Sequence, residues 1–309
     1  MKKTPSIIAI LFFAATLVSC EKEEAKQTVP TITAQVVAAP NLSTLESAVV
    51  KANLASTLEG AGPFTVFAPT DDAFAASGIT AAAINSLTAA QLQSILLYHV
   101  IPSKIPAANV PAGPNAKVVT ASGDSVFVTK NASGVFINGI NVTQADVEAS
   151  NGVIHLVSKV ILPPAGNIVE VAQSNSNFSF LVAAVVRAST GTTNVAQILS
   201  SGGPFTVFAP TNEAFIAAGF ANIAAINAAN PNTLASILTY HVVPGRVFSS
   251  GLSNGASVTA ASGGTLTIGL NGSAASVKGK TNPSPSNIIA TNLMARNGVI
   301  HVIDRVLLP

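Results

Sequence analysis

The chain has 309 residues, 49% of them hydrophobic and 9% charged, with a formal net charge of +2 at pH 7. That much apolar material suffices for two buried cores and excludes a chain disordered by composition. Near-neutrality, the lack of tryptophan and only two tyrosines argue against a nucleic-acid surface, and the single cysteine, Cys20, excludes an internal disulfide or thiolate cluster.

In chain order, Lys2 and Lys3 precede an apolar run from Ile7 to Val18. Twelve residues at ~1.5 Å each are too short for a ~30 Å hydrocarbon core, so the run predicts a secretory signal over 1–19. Its end, Leu17-Val18-Ser19-Cys20, resembles a bacterial lipobox. That resemblance implies cleavage before Cys20 and three acyl chains at that residue, enough for stable anchoring. A plain signal peptide with an incidental cysteine is the alternative. Lys22, Glu23 and Glu24 then resemble the signal that sends Bacteroidetes lipoproteins to the outer face of the outer membrane; a generic charged tether is the alternative. The expectation is an acylated tether over 20–31 on a protein facing the cell exterior.

Leu42 to Leu54 reads as a helix. Phe64 to Ala68 reads as a short strand apolar on both faces, ended by Pro69, with Thr70 capping a helix that has Asp71 and Asp72 in its first turn. This strand–turn–helix has neither a glycine-rich phosphate loop nor a nucleophile elbow. Thr88 and Gln91 form a capping-box pattern ahead of Leu92, Ile95, Leu96 and His99, spaced as one buried helical stripe. Strands are expected at 118–120, 125–128 and 134–137. Asp124-Ser125-Val126 resembles a Bacteroidetes O-glycosylation acceptor, making Ser125 a candidate. Asn151-Gly152 marks the turn into a last strand, with Ile154, Leu156, Val160 and Leu162 on one face and Val153, His155 and Val157 on the other. Pro163 to Gly166 is a natural boundary.

Beyond it the pattern recurs. Residues 62–70 return letter for letter as 203–211, Tyr98-His99 as Tyr240-His241, and 151–155 as 297–301, at offsets of 141, 142 and 146 (203−62, 241−99, 301−155). The second copy has an early helix from Phe180 to about Arg187, Pro231 in the first turn of its Tyr-His helix, strands at 257–259 and 265–268, and a loop in 281–287 marked by Pro283 and Pro285. A repeat of this size is a domain, giving 32–164 and 165–309; helices come early and strands late in each, an α+β order. The four histidines are two equivalent pairs. A zinc site needs three or four ligands, and no third ligand recurs: Asp146 is matched by Asn292. No nucleophile recurs beside a base either. Neutral imidazoles locking helix to sheet are expected, with a part in partner contact as the alternative.

Gly62 to Thr70, Tyr98-His99 and Asn151 to His155, each in two copies, resemble the signature of fasciclin domains. The resemblance implies two β-sandwich-like wedges flanked by helices, no catalysis, no required cofactor, and adhesion to surface or matrix proteins or glycans. It also implies interaction residues: in animal members integrin binding is linked to the Tyr-His region and to an acidic-aliphatic segment before the last strand. Tyr98-His99 and Tyr240-His241 match the first and Asp146 loosely matches the second; with His155 and His301 from the repeated last strand, they make up the candidate interaction or structural motif Tyr98, His99, Asp146, His155, Tyr240, His241 and His301. Asn292-Leu293 departs from the acidic segment, and Ser158 stands where the family carries the aspartate that the second copy keeps as Asp304. An extracytoplasmic carrier of an apolar ligand such as a carotenoid, known for some members, is the alternative function.

Overall fold

The computed structural model describes residues 29–272 and 274–309. The N-terminal signal, Cys20 and Lys22, Glu23 and Glu24 lie outside that range.

The first module runs α1 (Ile32–Ala38), α2 (Ser43–Lys51), α3 (Ala55–Glu59), β1 (Phe64–Pro69), α4 (Asp71–Ala76), α5 (Ala81–Ser86), α6 (Ala89–Tyr98), β2 (Val100–Ile101), β3 (Gly113–Val119), β4 (Ser125–Asn131), β5 (Gly134–Ile137), β6 (Ile140–Ala149) and β7 (Gly152–Val157). The second repeats that order: α7 (Ile168–Gln173), α8 (Ser179–Ala188), α9 (Val195–Ser201), β8 (Phe205–Pro210), α10 (Asn212–Ala217), α11 (Ile223–Ala228), α12 (Pro231–Tyr240), β9 (Val242–Pro244), β10 (Ser257–Thr259), β11 (Thr265–Asn271), β12 (Ala274–Lys278), β13 (Ser286–Ala295) and β14 (Gly298–Ile303).

Each module holds one seven-stranded sheet, ordered β2-β1-β7-β6-β5-β4-β3 in the first and β10-β11-β12-β13-β14-β8-β9 in the second. The pairings are antiparallel except β1 with β7 and β8 with β14, which are parallel. The sheet curls until its two ends meet: Ala121 N–H donates to Val100 C=O at 2.7 Å, as Ala261 does to Val242. The β-sandwich-like layering of each wedge is thus made by one sheet folded on itself. The fold encloses a core of Phe67, Tyr98, Ile101, Val126, Ile137, Val157 and Ile161. The helices cover the other face of β1 and β7 over Leu45, Leu58, Val66, Phe74, Leu92 and Ile154. Sandwiched between two cores, β1 must be apolar on both faces, which is why its sequence does not alternate.

Local chemistry sets the helix ends. Thr70 and Thr211 accept from the N–H of Ala73 and Ala214, Thr88 and Gln91 form the reciprocal capping box, and Asn230 caps α12 with Pro231 in its first turn. The helix expected from Leu42 to Leu54 stops at Lys51, because Asn53 takes a left-handed φ of 57° and the chain restarts as α3. The last strands end at Val157 and Ile303. Val160 still reaches the helical core, but Leu162 is 51% exposed and does not continue the buried face. The loop expected in 281–287 spans 279–285, where the first module has only the Asn138-Gly139 turn; β13 begins at Ser286.

Candidate functional site

The repeated Tyr-His pair sits where α6 meets the curled sheet. Tyr98 is fully buried; its hydroxyl donates to Ser125 C=O (3.0 Å) and accepts from Asn138 Nδ2 (3.1 Å). Burial is the main reason its phenol is pushed up to about 12. Tyr240 makes the equivalent pair with Thr265 C=O (2.6 Å) and Lys280 N–H (2.9 Å).

All four imidazoles have both nitrogens committed to backbone. His99 closes α6: Nδ1 bonds Ile95 C=O at 2.9 Å and Nε2 accepts from Ile161 N–H at 2.9 Å. His241 does the same with Ile237 and Leu307, both at 2.8 Å. One partner is a carbonyl and the other an N–H, so each ring is the neutral Nδ1–H tautomer. Desolvation pushes both pKa values down from 6.5 to about 4, against the opposing carbonyl bonds. His155 and His301 are the reverse tautomer. Their Nε2 bonds Ile105 and Val247 C=O at 2.9 Å, while Nδ1 accepts from Asp146 N–H at 3.1 Å and from Asn292 N–H at 3.4 Å. Burial likewise lowers the pKa of His301. The two histidines of a module share no partner, and the described residues contain no group of three His, Cys, Asp or Glu placed to hold a metal. With rings this enclosed, the candidate residue left with a surface is Asp146, whose side chain is 41% exposed.

Sequence reasoning passed over a second clamp. Asn151 is buried; its Oδ1 accepts from Ile32 N–H (2.9 Å) and its Nδ2 donates to Leu58 and Gly60 C=O (2.7 and 2.8 Å). Asn297 repeats all three bonds with Ile168, Leu199 and Gly202. One amide thus ties the last strand to the first and third helices. The signal was there in the repeated Asn-Gly, but it read as a turn.

The modules meet along a seam that explains where the copies diverge. In the first, Asp146 Oδ1 accepts from Ala107 N–H (2.8 Å). In the second, Asn292 Oδ1 accepts from Ser249 N–H (2.8 Å), while its Nδ2 donates to Ser249 Oγ (2.7 Å) and, across the seam, to Gly139 C=O (3.3 Å). A carboxylate at 292 has no donor for that carbonyl. Gly139 has φ +75°, and a Cβ there would lie 2.5 Å from Asn292 Nδ2 and 2.8 Å from Phe248 Cβ. Asn115 and Asn131 donate to the carbonyls of Arg246 and Ser250, Phe127 lies 6.1 Å from Phe248, and the Arg246 guanidinium sits 4.0 Å over the Phe127 ring.

Open clefts flank the seam. One, of about 630 Å³, is lined by Asn138, Lys159, Ser249 and Asn292; the other, of about 690 Å³, by Lys117, Ser125, Phe127, Arg246 and Arg296. Ser125, the candidate acceptor, is half-buried at the start of β4. Apolar space is smaller: a cavity of about 80 Å³ behind Leu181, Val185 and Leu238, and a pocket of about 290 Å³ beside Phe74, Leu92 and His99. Both lie below the ~300–1,000 Å³ usual for small-molecule sites. No described helix is long and apolar enough to cross a membrane.

The Fasciclin domain family model matches residues 40–163 and 176–309. The chain is 29% identical over 256 residues to the transforming growth factor-beta-induced protein ig-h3 of Sus scrofa, covering 82% of this chain and 35% of that protein. It therefore spans about a third of that relative's length. It is 46% identical over 126 residues to protein sll1483 of Synechocystis, covering 40% of this chain and 67% of that one. A solved FAS1 domain pair from the insect cell adhesion molecule fasciclin I aligns over 90% of this chain and 96% of its own, with a TM-score of 0.42 and 17% identity.

Proposed function

The chain belongs to the fasciclin family, whose domains are known in cell-adhesion and extracellular-matrix proteins, and on that premise we propose that it is a non-catalytic adhesion protein displaying two binding modules on a lipid anchor. One observation carries this reading. The chemistry-bearing side chains that recur in both copies, Tyr98, His99, His155 and their counterparts, are buried and spent on backbone hydrogen bonds, which makes them scaffold. What remains to meet a partner is the outer surface and the clefts along the seam.

Two modules on one tether suit weak, multivalent contact, since a second site engages at an effective concentration set by its linkage to the first. Held by the seam, they meet a partner with fixed spacing and lose little freedom on binding. The proposed partners are proteins or glycans of neighbouring cells or matrix. The reading also places the protein at the outer membrane facing out, held by acyl chains on Cys20 and exported through Lys22, Glu23 and Glu24. Its support is the order of apolar run, Leu17-Val18-Ser19-Cys20 and charged residues.

Protease shaving of intact cells tests the placement. The wild-type protein should be cleaved, Cys20→Ala should be released or held as precursor, and replacing Lys22, Glu23 and Glu24 by alanine should retain the lipid but protect the modules. Full protection of the wild type would put it on the inner side and end the adhesion reading.

A further inference from the structure

The seam cleft of about 690 Å³ gathers positive charge in a chain that has little of it. Lys117 comes from β3 and Arg246 and Arg296 from the second module, against Asp124 as the carboxylate of the lining. Lys117 and Arg296 are exposed and Arg246 is half-buried. Among the described residues the ion pair between charged side chains is Lys104 with Glu148, and none of the three cations has a described carboxylate within 4.0 Å.

Arg246 is held in place without being neutralised. Its Nη2 donates to Ala295 C=O (3.3 Å) and Arg296 C=O (3.0 Å), and its plane lies over Phe127. Its Nε is buried with no hydrogen-bond partner. Burial lowers its pKa, so the fold withdraws solvation from this charge and returns neutral carbonyls and a ring face. A guanidinium that is fixed, partly desolvated and without a counterion among the described residues is ready for an oxyanion, which it binds in a planar, forked geometry.

The rest of the lining narrows the ligand class. Ser125 and Ser201 bring hydroxyls, and Gly123, Gly202 and Gly203 bring backbone without side chains. The Phe127 face is already covered by Arg246, so it offers no free aromatic anchor of the kind that peptide recognition uses. We infer that this cleft binds a carboxylate- or sulfate-bearing saccharide, its acid group at Arg246, Lys117 and Arg296 and its hydroxyls along Ser125 and Ser201. The inference rests on the adhesion reading and names the class of partner at the seam.

Calorimetric titration of the purified full chain in detergent tests it. The probes are trigalacturonate, its neutral methyl ester, a sulfated heparin tetrasaccharide, sodium sulfate and a tetraglutamate peptide. One or both acidic saccharides should bind and the ester should not, with affinity falling as salt rises. The double variant Lys117→Gln/Arg296→Gln, whose positions are exposed and whose melt should match wild type, should weaken binding by about tenfold, the equivalent of ~1.4 kcal/mol. The ratio between the two acidic saccharides separates a uronate source from a sulfated one. Failure of both to bind, equal binding by the variant, sulfate binding as tightly as the saccharides, or tetraglutamate binding more tightly would each overturn the assignment. The titration uses no cells, so the two readings fail separately. Chain-dependent adhesion without saccharide binding removes the cleft assignment alone, and saccharide binding with adhesion indifferent to the chain removes the adhesion reading.

Discussion

His99 and His241 do the same work in different modules, and the work requires a neutral ring. Protonation would turn Nε2, which accepts from Ile161 or Leu307, into a second donor facing an N–H. Folded, each titrates at about 4, against 6.5 ordinarily. The unfolded chain therefore holds more protons between those values. Stability is full above about pH 6.5 and falls as pH drops through about 4, with a slope approaching ~1.4 kcal/mol per pH unit for each ring. His301 shifts in the same direction and adds to that loss, so the melting temperature should fall as a melt series descends from pH 7 to pH 4. Melts that do not change over that range would refute the buried-neutral assignment. At pH 7, His99→Ala and His241→Ala should each cost roughly 1–3 kcal/mol by stranding a buried carbonyl and N–H. A denaturant midpoint equal to wild type would show these rings to be dispensable to the fold. Asn151 and Asn297 are the stronger positions in this account, because one amide serves three backbone groups. The closeness also explains the repeated glycines: a Cβ on Gly62, at φ +65°, would sit 2.2 Å from Asn151 C=O.

At the scale of elements, what the sequence makes legible is whatever local rules decide. Thr70, Thr88 with Gln91, and Pro231 announce helix starts by their own chemistry, and the apolar run of β1 announces a strand between two cores. Longer-range facts leave no such trace. β6 and β13 escape notice because bulges break their alternation, and Asp146 and Asn292 take left-handed φ values of 59° and 62° in mid-strand. For the histidines, the helical stripe points His99 inward, but the tautomer depends on Ile161, 62 residues away. The seam is legible only in retrospect, as the replacement of aspartate by asparagine between copies. That replacement can be tested. Asn292→Asp removes the donor to Gly139 C=O and faces a carboxylate with a carbonyl, and should loosen the seam by about 1–3 kcal/mol. Hydrogen exchange should then rise in the Asn138-Gly139 turn and around Phe248 while the cores stay protected. Unchanged exchange at the turn would mean that Asn292 does not hold the modules together.

The whole molecule is two complete folds with a modest polar seam between them. Each module has its own curled sheet, helical layer and pair of cores. We propose that 32–164 and 165–309 fold separately, since contacts across the seam are few beside those within each core. Each piece expressed alone should give a cooperative melt, and failure of both would make the pair one folding unit. The duplicated scaffold matters for function because it fixes two surfaces and two clefts at constant spacing, which a tether on a cell surface would present together. The most direct measurement is of adhesion itself. Cells lacking the chain, cells restored with it and cells restored with Cys20→Ala are allowed to settle on acidic-glycan or native matrix coatings, and the force that detaches them is recorded. The account predicts strong attachment only for cells restored with the wild-type chain. Equal detachment force for all three would contradict it.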